Sequence, residues 1–288
     1  MLTKEFELDR NVEQFENYLQ NVYNKFELNG YNKYCNILLY GNKGTGKTRL
    51  MASCPKPVYA LSFDPGGLRT VHLRSLIASG DIIPDIRFEV DDWRKPHSFE
   101  ELKESLSEAM TKGLFNNIGT LYIDSLTSLE QMILNNVANN PNKYYATDKN
   151  QSKRAGKVFQ IGDYNILKME LCNFIHALTP LPCHVICTGH LEVIKDDVTG
   201  KTFTGLCLSG KLSVKVPPIF DALWGMDFEE TSKGINYFIR CRTQGQFHAV
   251  SRINEGLLET REVPDLKNIL RKCGLSAEDK PKIILKEK

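Results

Sequence analysis

Residues 41–48 read Gly41-Asn42-Lys43-Gly44-Thr45-Gly46-Lys47-Thr48, a full match to G-x-x-x-x-G-K-[ST]. Each residue type there has a physical reason. Gly41, Gly44 and Gly46 let the backbone approach an anion with no Cβ in the way. Successive N–H groups then converge on phosphate oxygens, and the start of a following helix adds its positive end. Lys47 brings a point charge to the terminal phosphates, and the Thr48 hydroxyl is a ligand for Mg²⁺. Asn42, Lys43, Thr45 and Arg49 complete the segment expected around a bound nucleoside triphosphate.

Such a loop needs a carboxylate at the end of a buried strand. Thr120-Leu121-Tyr122-Ile123-Asp124 supplies one. Asp124 is expected to hold Mg²⁺ through water with Ser125 assisting, a helix cap being the plainer alternative. Asp64 follows VYALSF and precedes Pro65-Gly66-Gly67. That places it at the carboxyl edge of a strand, where it is a candidate to orient an attacking water; a turn-forming Asp is the alternative. Thr188 and His190 end the run CHVICTGH and are candidates to contact the γ-phosphate, against the reading of His190 as a strand-end histidine. Lys211, Arg240 and Arg242 are candidates for a cation reaching the γ-phosphate from a neighbouring subunit. Arg240 and Arg242 share strand parity, and a solvated charge is the alternative for each. Cys183, Cys187 and His190 have the elements of a metal set, but their segment reads as a buried strand and their spacing is unlike that of zinc sites.

The elements that must position these groups follow from periodicity. CNILLY (35–40), VYALSF (58–63), TLYID (120–124) and CHVICTGH (183–190) read as strands. Residues 11–27, 98–112, 163–178 and a stretch from 125 to about 136 have helical spacing. A short helix is expected over 48–53, ending before Pro55. Strands alternating with helices predict a mainly parallel α/β sheet covered on both faces. Residues 191–206 read as a hairpin turning at Asp197–Gly200, and INYFIRCRT is expected to pair with QFHAVSRI around Gln244-Gly245. The tail from 264 reads as one helix and a charged end.

Residues 143–157 carry Lys143, Lys149, Lys153, Arg154 and Lys157 against Asp148 alone, with Tyr144 and Tyr145 beside them. Cations that follow phosphates and aromatics that stack on bases are the requirements for single-strand binding; a solvated lysine-rich loop is the plain alternative.

Composition sets the outer limits. The chain has 288 residues, 37 basic and 35 acidic, so binding through a strong overall positive charge is excluded while a local basic groove is not. No apolar run approaches a membrane span, and the charged start MLTKEFELDR lacks the apolar core of a signal peptide. The eight cysteines, scattered and often inside apolar runs, read as reduced thiols of a cytoplasmic protein.

In order, GNKGTGKT, SFDPGGL, YIDSLTSLE, CTGHLEV and LSGKLSVKVPPIFDALWGM resemble the RecA-like branch of P-loop ATPases. More narrowly they resemble the phage-encoded AAA-domain nucleotide-binding proteins, including Sak-type single-strand-annealing ATPases. The likeness spans about residues 34–250. It implies a RecA-like core at 34–255 with an antiparallel C-terminal extension, between an N-terminal helical segment at 1–33 and a C-terminal tail at 256–288. It further implies ATP binding, Mg²⁺-dependent hydrolysis and self-association into a ring or filament. The action implied is on single-stranded DNA in recombination, repair or replication, in a host cytoplasm. The chain departs from that pattern in carrying Asp64 where a Glu is usual and His190 where a Gln is common. Two other functions fit the phosphate loop: a monomeric P-loop kinase or small-molecule NTPase, and an annealing protein that ATP locks without hydrolysis.

Overall fold

Short apolar runs bounded by Gly, Pro and Asp cannot hold a helix and bury themselves as strands. In a computed structural model, which describes residues 12–24, 33–92, 95–145, 159–195, 200, 202–253 and 256–283, ten of them form one sheet. β1 (Asn36–Gly41), β2 (Val58–Ser62), β3 (Ile82–Asp85), β4 (Thr120–Asp124) and β5 (His184–Lys195) are followed by β6 (Thr202–Leu206) and β7 (Ala222–Thr231). β8 (Gly234–Arg240), β9 (Val250–Ser251) and β10 (Arg261–Glu262) complete it. The order is β10-β8-β7-β1-β5-β4-β2-β3, with β6 on β5 and β9 on β7. From β7 to β3 all neighbours are parallel; β6, β8, β9 and β10 add antiparallel pairs. This is the RecA-like arrangement, with the acid-bearing strand β4 separated from the phosphate-loop strand β1 by β5.

Alternation along β1 sorts its side chains to two cores. Leu38 and Tyr40 join Leu121 and Ile123 beneath the helices Ser98–Thr111, Leu126–Asn139 and Ile161–Leu178. Ile37 and Leu39 join Tyr122, Ile186 and Trp224 against Leu50, Met51 and the helix Leu266–Lys272. The Ile161–Leu178 helix opens with a reciprocal cap between Gln160 and Asp163, which satisfies two otherwise orphan amides. Residues 12–24 form a separate helix, exposed along its length.

Two local expectations change, and the hairpin expected at 191–206 is present, Leu191 to Lys195 pairing antiparallel with Thr202 to Leu206. Residues 48–53 wind as a 3₁₀ turn. The segment 235–243 does not pair with 246–253: β8 folds back on β7 from Gly225↔Arg240 to Thr231↔Gly234. β7, parallel to β1 on one side, offers a long free edge on the other, and Gly234 at φ 124° closes the tight turn between them. Gln244 and Phe247 keep only an isolated bridge. β5 continues through His190 to Lys195 and pairs with β6; the expected turn at 197–200 lies largely outside the described residues.

His184 stitches the sheet to the C-terminal segment. Its Nε2 donates to the Ser276 carbonyl at 2.7 Å, and its Nδ1 accepts from the Cys35 amide at 3.3 Å. The Cys35 amide requires an unprotonated Nδ1, and burial depresses the ring's pKa to about 4 against the opposing pull of the Ser276 carbonyl. A depressed value contributes stability above the ordinary pKa that is lost as pH falls towards the depressed one, here worth about 3 kcal/mol. Wild-type denaturation midpoints are therefore expected to drop between pH 6.5 and pH 4, and His184→Asn to flatten that drop. Equal declines in both proteins would place the titrating group elsewhere.

Candidate nucleotide-binding and hydrolysis site

The carboxyl ends of β1, β5, β4 and β2 meet at one edge of the sheet. The register sets Gly41 beside His190 and Ser62 beside Asp124, so segments far apart in sequence converge on one cleft, the place where open α/β sheets bind ligands.

The phosphate loop follows β1. A Cβ on Gly41 would meet the Met226 carbonyl oxygen at 2.4 Å, so only glycine passes there. Gly46 sits at φ 89°, a conformation costly for any other residue. Lys47, 7% exposed, donates its ammonium to the Gly41 and Asn42 carbonyls at 2.7 and 2.9 Å. Burial lowers its pKa, and the nearby Asp124 and Asp64 charges oppose that. Tyr122 donates its hydroxyl to the Lys47 carbonyl at 2.6 Å, tying the loop to β4. Asn42, Lys43, Gly44 and Arg49 are exposed and Thr45 is buried, its hydroxyl on the Asn42 carbonyl.

Asp124, 3% exposed, receives the Thr48 hydroxyl on Oδ2 and the Thr188 hydroxyl on Oδ1, each at 2.5 Å. Burial raises its pKa, and the two hydroxyls pull it back. Thr48 opens the turn after the phosphate loop and Thr188 lies within β5, and the Thr48–Asp124 pair is the oxygen-rich set that Mg²⁺ prefers beside phosphate. Among the described residues no cluster of three His, Cys, Asp or Glu could hold a metal; Thr48 and Asp124 fit an ion whose other ligands are phosphate oxygens and water. Ser125 caps the Leu126–Asn139 helix, accepting from the Ser128 amide.

Asp64 lies beside this pair. Its Oδ1 accepts from the hydroxyls of Ser125 and Ser128, and its Oδ2 is 4.0 Å from His190 Nε2. The His190 amide donates to Thr127 Oγ1 at 3.1 Å. Sequence reasoning missed Glu89, which takes the Ser62 hydroxyl at 2.7 Å and the Gly66 amide at 2.8 Å. It thereby clamps both ends of the turn carrying Asp64. No local pattern marks Glu89, because only the β2–β3 pairing brings it there. Asp64→Asn keeps the acceptor for the serine hydroxyls but is a far weaker base. It is expected to lower kcat about 100-fold with little change in KM, as steady-state turnover would show; an unaltered kcat would remove Asp64 from the water-orienting role.

On the other side of the loop, Gly46, Arg49, Met226, Ile235, Tyr237 and Val263 border a cleft of about 560 Å³. The Arg49 guanidinium stands over the Tyr237 ring at 5.6 Å from its centroid. A flat aromatic ring entering there would meet one π-face and one cation. Tyr237 carries no spacing signal in the sequence.

The trans-finger candidates separate. Arg240 is 8% exposed, paired with Asp227 at 3.0 Å, bonded to Gln244 at 2.9 Å and set between the rings of Phe238 and Phe247. It is held within its own chain and does not reach outward, which corrects that expectation. Arg242 lies past the end of β8 and donates to the Gly256 and Leu258 carbonyls at 3.0 and 2.8 Å, so the shared strand face also disappears. Lys211 is exposed at the start of the short helix Leu212–Lys215.

The DNA candidates also divide. Lys143 pairs with Glu100 at 2.5 Å. The Tyr144 hydroxyl donates to the same carboxylate at 3.2 Å and accepts from Asn136 at 2.9 Å. The Tyr145 hydroxyl donates to Asp163 at 2.8 Å. Lys149, Lys153, Arg154 and Lys157 lie outside the described residues. No helix among the described residues is long and apolar enough to cross a membrane.

No curated protein matches the chain. Solved structures similar to it include a KaiC-like protein from the archaeon Pyrococcus horikoshii OT3. That pair has 14% identity over 74% of this chain and 80% of that one, at a TM-score of 0.40. Another is the flagellar accessory protein FlaH from Methanocaldococcus jannaschii, with 13% identity over 72% of this chain and 77% of that one, at a TM-score of 0.37. The AAA domain family matches residues 33–253, a span that contains the phosphate loop, Asp64, Asp124 and His190. With this loop, this pair of carboxylates and that match, the chain belongs to the AAA domain family, as a nucleotide-binding protein with a RecA-like ATPase fold.

Proposed function

We propose that the protein hydrolyses ATP with Mg²⁺, acts on single-stranded DNA in recombination, repair or replication, and works as a self-associated ring or filament in a host cytoplasm. One observation carries the hydrolytic part: a buried carboxylate bridging the phosphate-loop threonine and Thr188 of β5, with Asp64 next to it. In this reading the loop amides and Lys47 bind the triphosphate, and Thr48 and Asp124 hold the metal. Mg²⁺, when bound, neutralises charge on the transferring phosphate. Asp64, steadied by Ser125, Ser128 and the Glu89 clamp, orients a water, and His190 faces the γ-phosphate, while Thr188, fully buried with its hydroxyl on Asp124, acts through that carboxylate instead. Tyr237 offers the base a ring face in the cleft beside the loop, with Arg49 next to it.

The DNA part rests on composition. Lys143 is exposed in a surface ion pair with Glu100, and it joins Lys149, Lys153, Arg154 and Lys157 as the cations offered to phosphates, while the Tyr144 and Tyr145 hydroxyls are bonded to Glu100 and Asp163. Lys211 is the candidate that fits a cation donated to a neighbour. Turnover measured with and without single-stranded DNA over a salt series tests the reading. DNA-stimulated turnover that declines as salt rises supports it. Turnover indifferent to DNA, with no binding at low salt, removes the DNA part and leaves a nucleotide hydrolase. A wild-type protein that neither binds nor turns over ATP overturns the whole.

A further inference from the structure

Two apolar surfaces of this chain lack partners among the described residues. The first is the helix at 12–24. Phe15, Leu19 and Val22 repeat at helical spacing with Val12, Tyr18 and Tyr23, and all six are between 48% and 64% exposed. A thirteen-residue helix gains most of its stability from packing such a stripe against something. The second is a groove of about 730 Å³ bordered by β6, residues 213–223 and β9. Phe203, Leu206, Val214, Pro218, Leu223 and Val250 make its apolar lining, and Val214 and Val250 are 70% and 48% exposed. Its lining comes from strands, loops and a one-turn helix only, so it is a trough on the sheet side with no long helix over it.

The two surfaces have opposite charge. Residues 12–24 contain Glu13 and Glu16 and no Lys or Arg. The groove has Arg252 in its wall. Lys211 and Lys215 flank Val214 on the Leu212–Lys215 helix, and Lys168 lies close enough to Lys215 for their charges to repel. No ion pair to a carboxylate is formed by these four cations among the described residues. The acidic residue of the groove, Asp221, is engaged by the Asn36 amide at 2.8 Å.

We infer that the helix at 12–24 of one copy docks in this groove of a second copy. An acidic amphipathic helix and a basic-rimmed apolar trough carried by one chain make a head-to-tail contact. Such a contact leaves each new subunit with one free helix or groove, and therefore grows into a ring or filament. The inference rests on the self-association proposed above and names the surfaces that produce it. Phe15, Leu19 and Val22 supply the apolar contact, and Glu13 and Glu16 face the lysines.

Sedimentation velocity on the full chain, over a concentration series with Mg²⁺ and a non-hydrolysable ATP analogue, tests this. One variant carries Phe15→Asp and Leu19→Asp, a second carries Val214→Asp and Val250→Asp, and a third lacks residues 1–24. The four substituted positions are exposed, so the two substitution variants are expected to match wild type in circular dichroism, and all three variants in ATP binding. Each variant is expected to associate at least about tenfold more weakly than wild type. Mixing the first two should yield a 1:1 complex that grows no further, because one intact groove and one intact helix remain. Wild-type assembly that persists in all three variants overturns the inference and leaves self-association standing. A wild type that stays monomeric overturns both. A monomeric wild type that loses thermal stability in the first variant places the helix in its own groove, which also overturns the inference.

Discussion

Lys47→Ala is expected to reduce ATP affinity by at least about 100-fold, through loss of charge-assisted hydrogen bonds worth about 1.5–3 kcal/mol each. Calorimetric titration of ATP with Mg²⁺ reads this directly. The geometry explains why the loss is large. Lys47 is 7% exposed and its ammonium sits on the Gly41 and Asn42 carbonyls, so it is positioned before any phosphate arrives. Its removal takes one donor from each of two loop carbonyls, and the Asn42 carbonyl keeps the Thr45 hydroxyl. It also leaves Asp124 and Asp64, whose charges act on Lys47, facing an incoming triphosphate with no cation between them. Lys47→Arg is not expected to restore affinity, since a planar fork cannot replace a compact charge between those two carbonyls. Affinity within a factor of about three of wild type in Lys47→Ala would show that the loop is structural.

Asp124→Asn separates binding from turnover. Nucleotide binding is expected to persist, because the loop amides and Lys47 are untouched, while Mg²⁺-dependent turnover falls by about 1,000-fold. A metal titration of the hydrolysis rate measures this, and undiminished turnover would show that another carboxylate holds the ion. Stability is expected to move the other way. Burial raises the Asp124 pKa, so its contribution to stability is present at low pH and is lost as pH rises through the raised value. An amide carries no such penalty. In metal-free buffer at neutral pH the melting temperature of Asp124→Asn is therefore expected to equal or exceed that of wild type. Its amide can accept only one of the two hydroxyls, from Thr48 or Thr188, which limits the gain.

The phosphate loop was legible because its requirements are local: a glycine where a Cβ would strike the Met226 carbonyl, another at positive φ, and a lysine within reach of its own loop. Asp124 was legible for a related reason, as the acid that ends a run too apolar to be anything but a buried strand. Arg240 was misread. Spacing put it on a free strand face, whereas its partners Asp227, Phe238 and Phe247 reach it through the β7–β8 hairpin and the turn after it. Glu89 was missed outright, since nothing near it in the chain shows that it clamps Ser62 and Gly66.

By itself, then, the amino-acid order determined that 36–41, 58–62, 120–124 and 184–190 are strands, where the glycine-lined loop lies and which acids end the apolar runs, because each depends on the chemistry of neighbouring residues. Tertiary structure alone decided that β5 lies between β1 and β4, that Thr188 shares Asp124 with Thr48, that Tyr237 faces Arg49, and that Arg240 turns inward. Those outcomes depend on which strand edges pair, and pairing is settled by burying two sheet faces at once over separations of tens to hundreds of residues, where the local pattern of hydrophobicity and turns carries no information.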